Sequence, residues 1–186
     1  MQEADNVLRI LQETKVALER DDSFSLRSLS NQTVNTSTLT QDPDNIAVAV
    51  IVYSLSKIVE RQDYRSLLGW KKFYDNVLLY LDKSTKDIEK REYGKFREDF
   101  KAIRGSIDNL SGKLKKYIKE VLRTAEVSKA SRLYEHGISM EQTANLLGIT
   151  LYELAEYVGK TGISEVPENR TMGTKERIKL AMDIFE

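Results

Sequence analysis

Trp70, Tyr74, Val77, Leu81, Ser84 and Ile88 recur in steps of four and three, and Tyr93, Phe96, Phe100, Ile103, Ile107 and Leu110 repeat the rhythm at once. Alternating steps of this kind keep one stripe of a helix turned toward a neighbour. Two such stripes in succession predict helices lying along one another at a shallow angle. A break at Leu110-Ser111-Gly112 precedes a third stripe, Leu114, Tyr117, Ile118, Val121, Leu122 and Ala125. The spacing predicts helices over 64–90, 92–110 and 113–136, folded back as an all-α antiparallel bundle. A long coiled-coil dimer is the alternative that the same spacing allows. Two prolines and nine glycines in 186 residues leave few breaks, which suits long helices.

Upstream, Ala4, Val7, Leu8, Leu11 and Leu18 set a first helix over 4–20, with Asp5 placed favourably in its first turn. Residues 21–42, DDSFSLRSLSNQTVNTSTLTQD, are rich in Ser, Thr, Asn and Asp. Those side chains compete for backbone hydrogen bonds, so a long polar loop is expected there. Asp42-Pro43-Asp44 then reads as a helix start, Asp42 capping and Pro43 at the first helical position. The following NIAVAVIVYSLSKIVER is β-branched enough for a buried strand, but Leu55, Ile58 and Val59 continue a helical pattern.

Composition excludes several classes of chemistry. Apolar residues are 40% of the chain, enough for a core, and charged residues are 31% with a net charge of zero. The absence of cysteine removes disulfides, thiolate nucleophiles and cysteine zinc sites, and His136 is the one histidine. No phosphate-cradling glycine loop and no HExxH is present, and Asp82, Asp87, Glu98 and Asp99 are spread among bases as on outward helix faces. A non-enzyme without cofactor or metal is expected, with His136 capping a helix end. The polar opening MQEADNVLRI is unlike a signal peptide. The longest apolar run, Ile46 to Tyr53, is eight residues against the roughly 20 that span a bilayer, which points to a soluble, cytoplasmic protein.

Residues 129–160 carry a denser signal. Ala130, Leu133 and Tyr134 give one helix a buried face, and His136-Gly137-Ile138 ends it. Ser139 and Gln142 form a capping-box pattern for a short helix with Ala144 and Leu147 facing in. Gly148 and Ile149 make a tight turn, Thr150 caps a third helix, and Leu154, Tyr157 and Val158 bury it. A small residue, a glycine turn four positions on and an apolar residue next are the steric signature of a helix-turn-helix. The stretch 128–165 also resembles helix-turn-helix antitoxins of VapBC-type toxin–antitoxin pairs. The resemblance lies in Leu133, Tyr134, Gly137, Ser139, Ala144, Leu147, Gly148, Ile149, Glu153, Leu154 and Gly162-Ile163, with Thr143 where an alanine is usual. It implies a repressor-like DNA contact and a C-terminal segment that grips a toxin, often a PIN-type ribonuclease.

The candidate DNA-contacting residues are Lys129, Arg132, Ser139, Gln142, Thr150, Leu151, Tyr152 and Lys160. Charge opposes this role: Lys129, Arg132 and Lys160 against Glu135, Glu141, Glu153 and Glu156 leave 129–160 at −1. Upstream, residues 113–136 hold seven bases against three acids, a +4 stripe that would hold phosphates or simply be solvated. Residues 163–173 read as a linker. Thr174 opens a short helix on which Ile178, Met182 and Phe185 are the candidate partner-binding anchors. The expected organisation is a helical bundle domain over 1–128, a helix-turn-helix over 129–162 and a linker with a partner-binding helix over 163–186. A DNA-binding, antitoxin-like homodimer is the leading expectation. A helical scaffold whose helix-turn-helix never meets DNA is the alternative.

Overall fold

The computed structural model describes residues 1–40, 42–110, 112–136, 138–147 and 149–161. Those residues are all-helical. The α-helices are α1 (Ala4–Glu19), α2 (Ser23–Thr40), α3 (Pro43–Val59), α4 (Trp70–Glu89), α5 (Tyr93–Asp108), α6 (Gly112–Glu135), α7 (Met140–Leu147) and α8 (Leu151–Thr161). A short 3-10 helix, Gln62–Ser66, precedes α4.

Helix α3 is buried on every face, from Ile46 through Val48, Val52 and Leu55 to Val59. Its β-branched residues weaken intrinsic helix propensity. Here that preference is overridden, because α1, α2, α6 and α7 all pack against it and a helix satisfies its own backbone among them. The start is as the sequence suggests. The Asp42 carboxylate accepts from the Asp44 N–H at 3.0 Å, with Pro43 in the first turn.

The expected loop over 21–42 is instead α2, running from Ser23 to Thr40. Asp22 starts it: its carboxylate accepts from the Ser25 N–H at 2.9 Å and from the Ser25 hydroxyl at 2.6 Å. These bonds, the hydroxyl first, hold the Asp22 carboxyl below its usual range. Leu26, Leu29, Ser30, Thr33 and Val34 form the inward stripe. The buried hydroxyls find carbonyls: Ser30 donates to Ala49 of α3 at 2.7 Å and Thr33 to Leu29 at 2.9 Å. Small hydroxyl residues therefore let two backbones approach with the hydroxyls of Ser30 and Thr33 themselves satisfied, and composition alone does not reveal that use.

The expected helix over 64–90 also divides. Gly69, at φ 92°, interrupts it, and α4 begins only at Trp70. The 3-10 turn before it places Tyr64 on Tyr117 of α6, rings stacked at 5.4 Å. Phe73, Val77, Leu81, Ser84 and Ile88 of α4 are buried, whereas Trp70 and Tyr74 lie half-buried at the margin. Phe73, Val77, Leu81 and Ile88 join Val7, Ile10 and Leu11 of α1, Phe96, Phe100 and Ile103 of α5, and Leu114 and Ile118 of α6 in the principal core. A smaller cluster, Val34, Ile46, Ala49, Leu133 and Ile138, ties α2 and α3 to the C-terminal helices.

Candidate nucleic-acid interface

The last turns of α6, with α7 and α8, enclose a third cluster of Ala130, Ala144, Ile149, Leu154 and Val158. Alanines at 130 and 144 leave room for α6 and α7 to approach closely. Thr143, the position where the antitoxin pattern carries alanine, is fully buried, and its hydroxyl has no hydrogen-bond partner among the described residues.

Both helix starts are capped. The Ser139 hydroxyl accepts from the Gln142 N–H at 3.2 Å. At α8 the capping box is reciprocal: the Thr150 hydroxyl accepts from the Glu153 N–H at 3.2 Å, and the Glu153 carboxylate accepts from the Thr150 N–H at 3.0 Å. The Thr150 hydroxyl also donates to Glu153 at 2.6 Å, and the Arg123 Nε of α6 donates to the same carboxylate at 3.1 Å. The Thr150 hydroxyl first, then Arg123, lower the Glu153 pKa to about 2. In the sequence Glu153 counts as a carboxylate that would repel phosphates. Its charge is instead closed within the unit, and the T-x-x-E spacing was the signal for half of that arrangement.

The eight candidate contacts separate into groups. Ser139 and Gln142 border one shallow hollow with Glu141 and Asn145, an exposed amide that sequence reasoning passed over. Thr150, Leu151 and Tyr152 lead off α8 in solvent, Leu151 52% and Tyr152 76% exposed. Arg132 is paired with Glu135 at 2.9 Å, and Lys160, in the last turn of α8, with Glu156 at 2.5 Å. Lys113, Lys116 and Lys119 of the upstream basic stripe are exposed in the first turns of α6, and Arg123 pairs with Glu126 and Glu153. The His136 ring is exposed and makes no hydrogen bond among the described residues, so its expected capping role is not observed. Ile178, Met182 and Phe185 lie outside the described residues.

Lys129 is a correction. It is 2% exposed and cannot reach a phosphate. Its ammonium donates to Asn31 of α2 at 3.0 Å and lies 4.2 Å from the ring centre of Tyr53 of α3. With Ala130 turned to the C-terminal cluster and Leu133 to α3, position 129 falls in the seam between them. Burial first, then the nearby Arg132 and Arg27 charges, lowers its pKa to about 8.

Among the described residues no group of three or more His, Cys, Asp or Glu side chains is placed to hold a metal, and no helix is long and apolar enough to cross a membrane.

The sign of the Lys129 effect follows from its depressed pKa. Below pH ~8 both folded and unfolded chains carry the proton, so the cost of the buried cation is fully present. Between about 8 and 10.5 the unfolded chain retains a proton that the folded chain releases, and stability rises with pH. Lys129→Met is expected to raise unfolding free energy by about 1–3 kcal/mol at neutral pH. The gain should shrink toward pH 10, as read from denaturant melts of both proteins. A variant less stable at neutral pH would mean that the Asn31 and Tyr53 contacts outweigh desolvation.

No protein-family model matches the chain, and no curated protein or solved structure was found to match it.

Proposed function

We propose that residues 129–161 form a helix-turn-helix on the α-helical body, with α8 the helix presented to the DNA major groove. In this role the chain is a cytoplasmic, antitoxin-like regulator. The observation that carries the proposal is the orientation of α8. It buries Leu154 and Val158 beneath Ala130, Ala144 and Ile149, and leaves Thr150, Leu151 and Tyr152 in solvent with the Glu153 charge neutralised by Arg123. Support also comes from the VapBC-like pattern, whose apolar positions Leu133, Ala144, Ile149 and Leu154 are core positions here. Gln142 and Asn145 supply hydrogen-bonding groups for base edges, and Leu151 and Tyr152 supply apolar contact of the kind that thymine methyls accept. Homodimerisation would place two such units on half-sites about 34 Å apart.

Exposed Leu151 and Tyr152, side by side on a surface with few unpaired cations, favour one second reading: a protein-docking face on a helical scaffold. Duplex binding separates the two. Fluorescence anisotropy with a randomised-sequence duplex, followed by selection of bound sequences, is expected to give binding with a shallow salt dependence of about two to three released counterions. Tyr152→Ala is expected to weaken the selected site about tenfold, the loss of roughly one good base contact, and Lys129→Met to leave it unchanged. Absence of duplex binding, or full binding by Tyr152→Ala, would leave the docking face as the better account.

The second half of the proposal concerns Ile178, Met182 and Phe185, which suit a helix laid in a partner's groove, with a PIN-type toxin as the expected partner. Co-expression with the adjacent gene should yield a complex that is lost on removing residues 174–186. A complex that survives truncation, or none from the full chain, would count against this assignment.

A further inference from the structure

We propose that the cavity between α3 and α5 is a binding site for a small apolar carboxylate. The cavity measures about 250 Å³ and is floored by Val50 and Ile51 of α3 and by Phe96 and Phe100 of α5, whose ring centres are 4.6 Å apart. Leu147 of α7 closes one side. The volume falls below the ~300–1,000 Å³ of sites for drug-sized ligands, which limits the occupant to a short acyl chain or a single ring.

The rim supplies the second half of the specificity. Arg97, Lys101 and Arg104 follow one another on one face of α5 at spacings of four and three. Arg97 bridges the mouth to Asp44 of α3 with two bonds, at 2.8 and 2.9 Å. Arg104 bridges it to Glu126 of α6, which also accepts from Arg123 at 3.2 Å. Lys101, between them and exposed, faces no acid partner among the described residues. Three cations thus border an apolar cavity while the opposing wall provides two carboxylates. A ligand with an apolar body and one carboxylate fills the cavity and supplies the third. The two arginine bridges hold the walls apart in advance, so little ordering is required on binding.

Octanoate is the probe, with 1-octanol lacking the charge and acetate lacking the body. Aromatic NMR signals of Phe96 and Phe100 in the full chain report occupancy. Octanoate is expected to shift these signals with an affinity about three- to fivefold above that of octanol, the worth of one solvent-screened ion pair, and acetate to leave them unmoved. In Lys101→Gln the octanoate affinity should fall to that of octanol. Ala47→Leu, which fills the cavity from its half-buried edge, should weaken both. The proposal is overturned by unmoved signals at millimolar octanoate, by equal affinities in the parent chain, or by a preference that persists in Lys101→Gln.

Discussion

The burial of α3 on all its faces is the constraint from which the remaining architecture follows. A helix hydrophobic all round cannot lie on a surface, so other helices must cover it. α1 and α2 cover part of it, and α6 and α7 another part. The close approach of α2 requires side chains as small as Ser30 and Thr33 at the contact, with hydroxyls that bond helix carbonyls. The C-terminal helices are drawn in by the same demand. Leu133 and Ile138 finish the cover over Ile46 and Ala49, so the unit that presents α8 shares core with the body. The outward direction of α8 is thereby set by packing at its back.

Charge is arranged to the same end. A chain of zero net charge with nearly a third of its residues ionisable must pair most of them or leave them in water. In the C-terminal unit the pairs close locally: Arg123 with Glu153, Arg132 with Glu135, and Lys160 with Glu156. What α8 offers at its start is therefore uncharged. Under the proposed DNA-binding role, recognition through such a surface would depend on shape, hydrogen bonding and apolar contact more than on phosphate attraction, trading affinity for reduced dependence on salt.

Much of the fold was legible in the residues. The alternating stripe from Phe96 to Leu110 is buried throughout, and Asp42-Pro43 starts α3 as its chemistry suggests. Other features were not legible, and three of them show the physical reason. α2 was hidden because serine and threonine weaken an isolated helix, yet fit a tight helix–helix contact when their hydroxyls find carbonyls. Lys129 was misplaced because a lysine in a basic stretch is ordinarily solvated, and only the fold reveals that residues 130 and 133 drive it into a seam. Glu153 was read as repulsive because its partner Arg123 lies thirty positions away, beyond the reach of local spacing. The candidate site was thus legible in its apolar skeleton, Ala144, Ile149 and Leu154, and much less so in its electrostatics.

Hydrogen exchange of the full chain with and without the selected duplex tests most directly that α7 and the start of α8 form the interface. The account predicts slowed exchange in 140–153, with the amides of α1 and α3 unchanged. Protection confined to the lysines at the start of α6, or to the α1–α2 face, would contradict it.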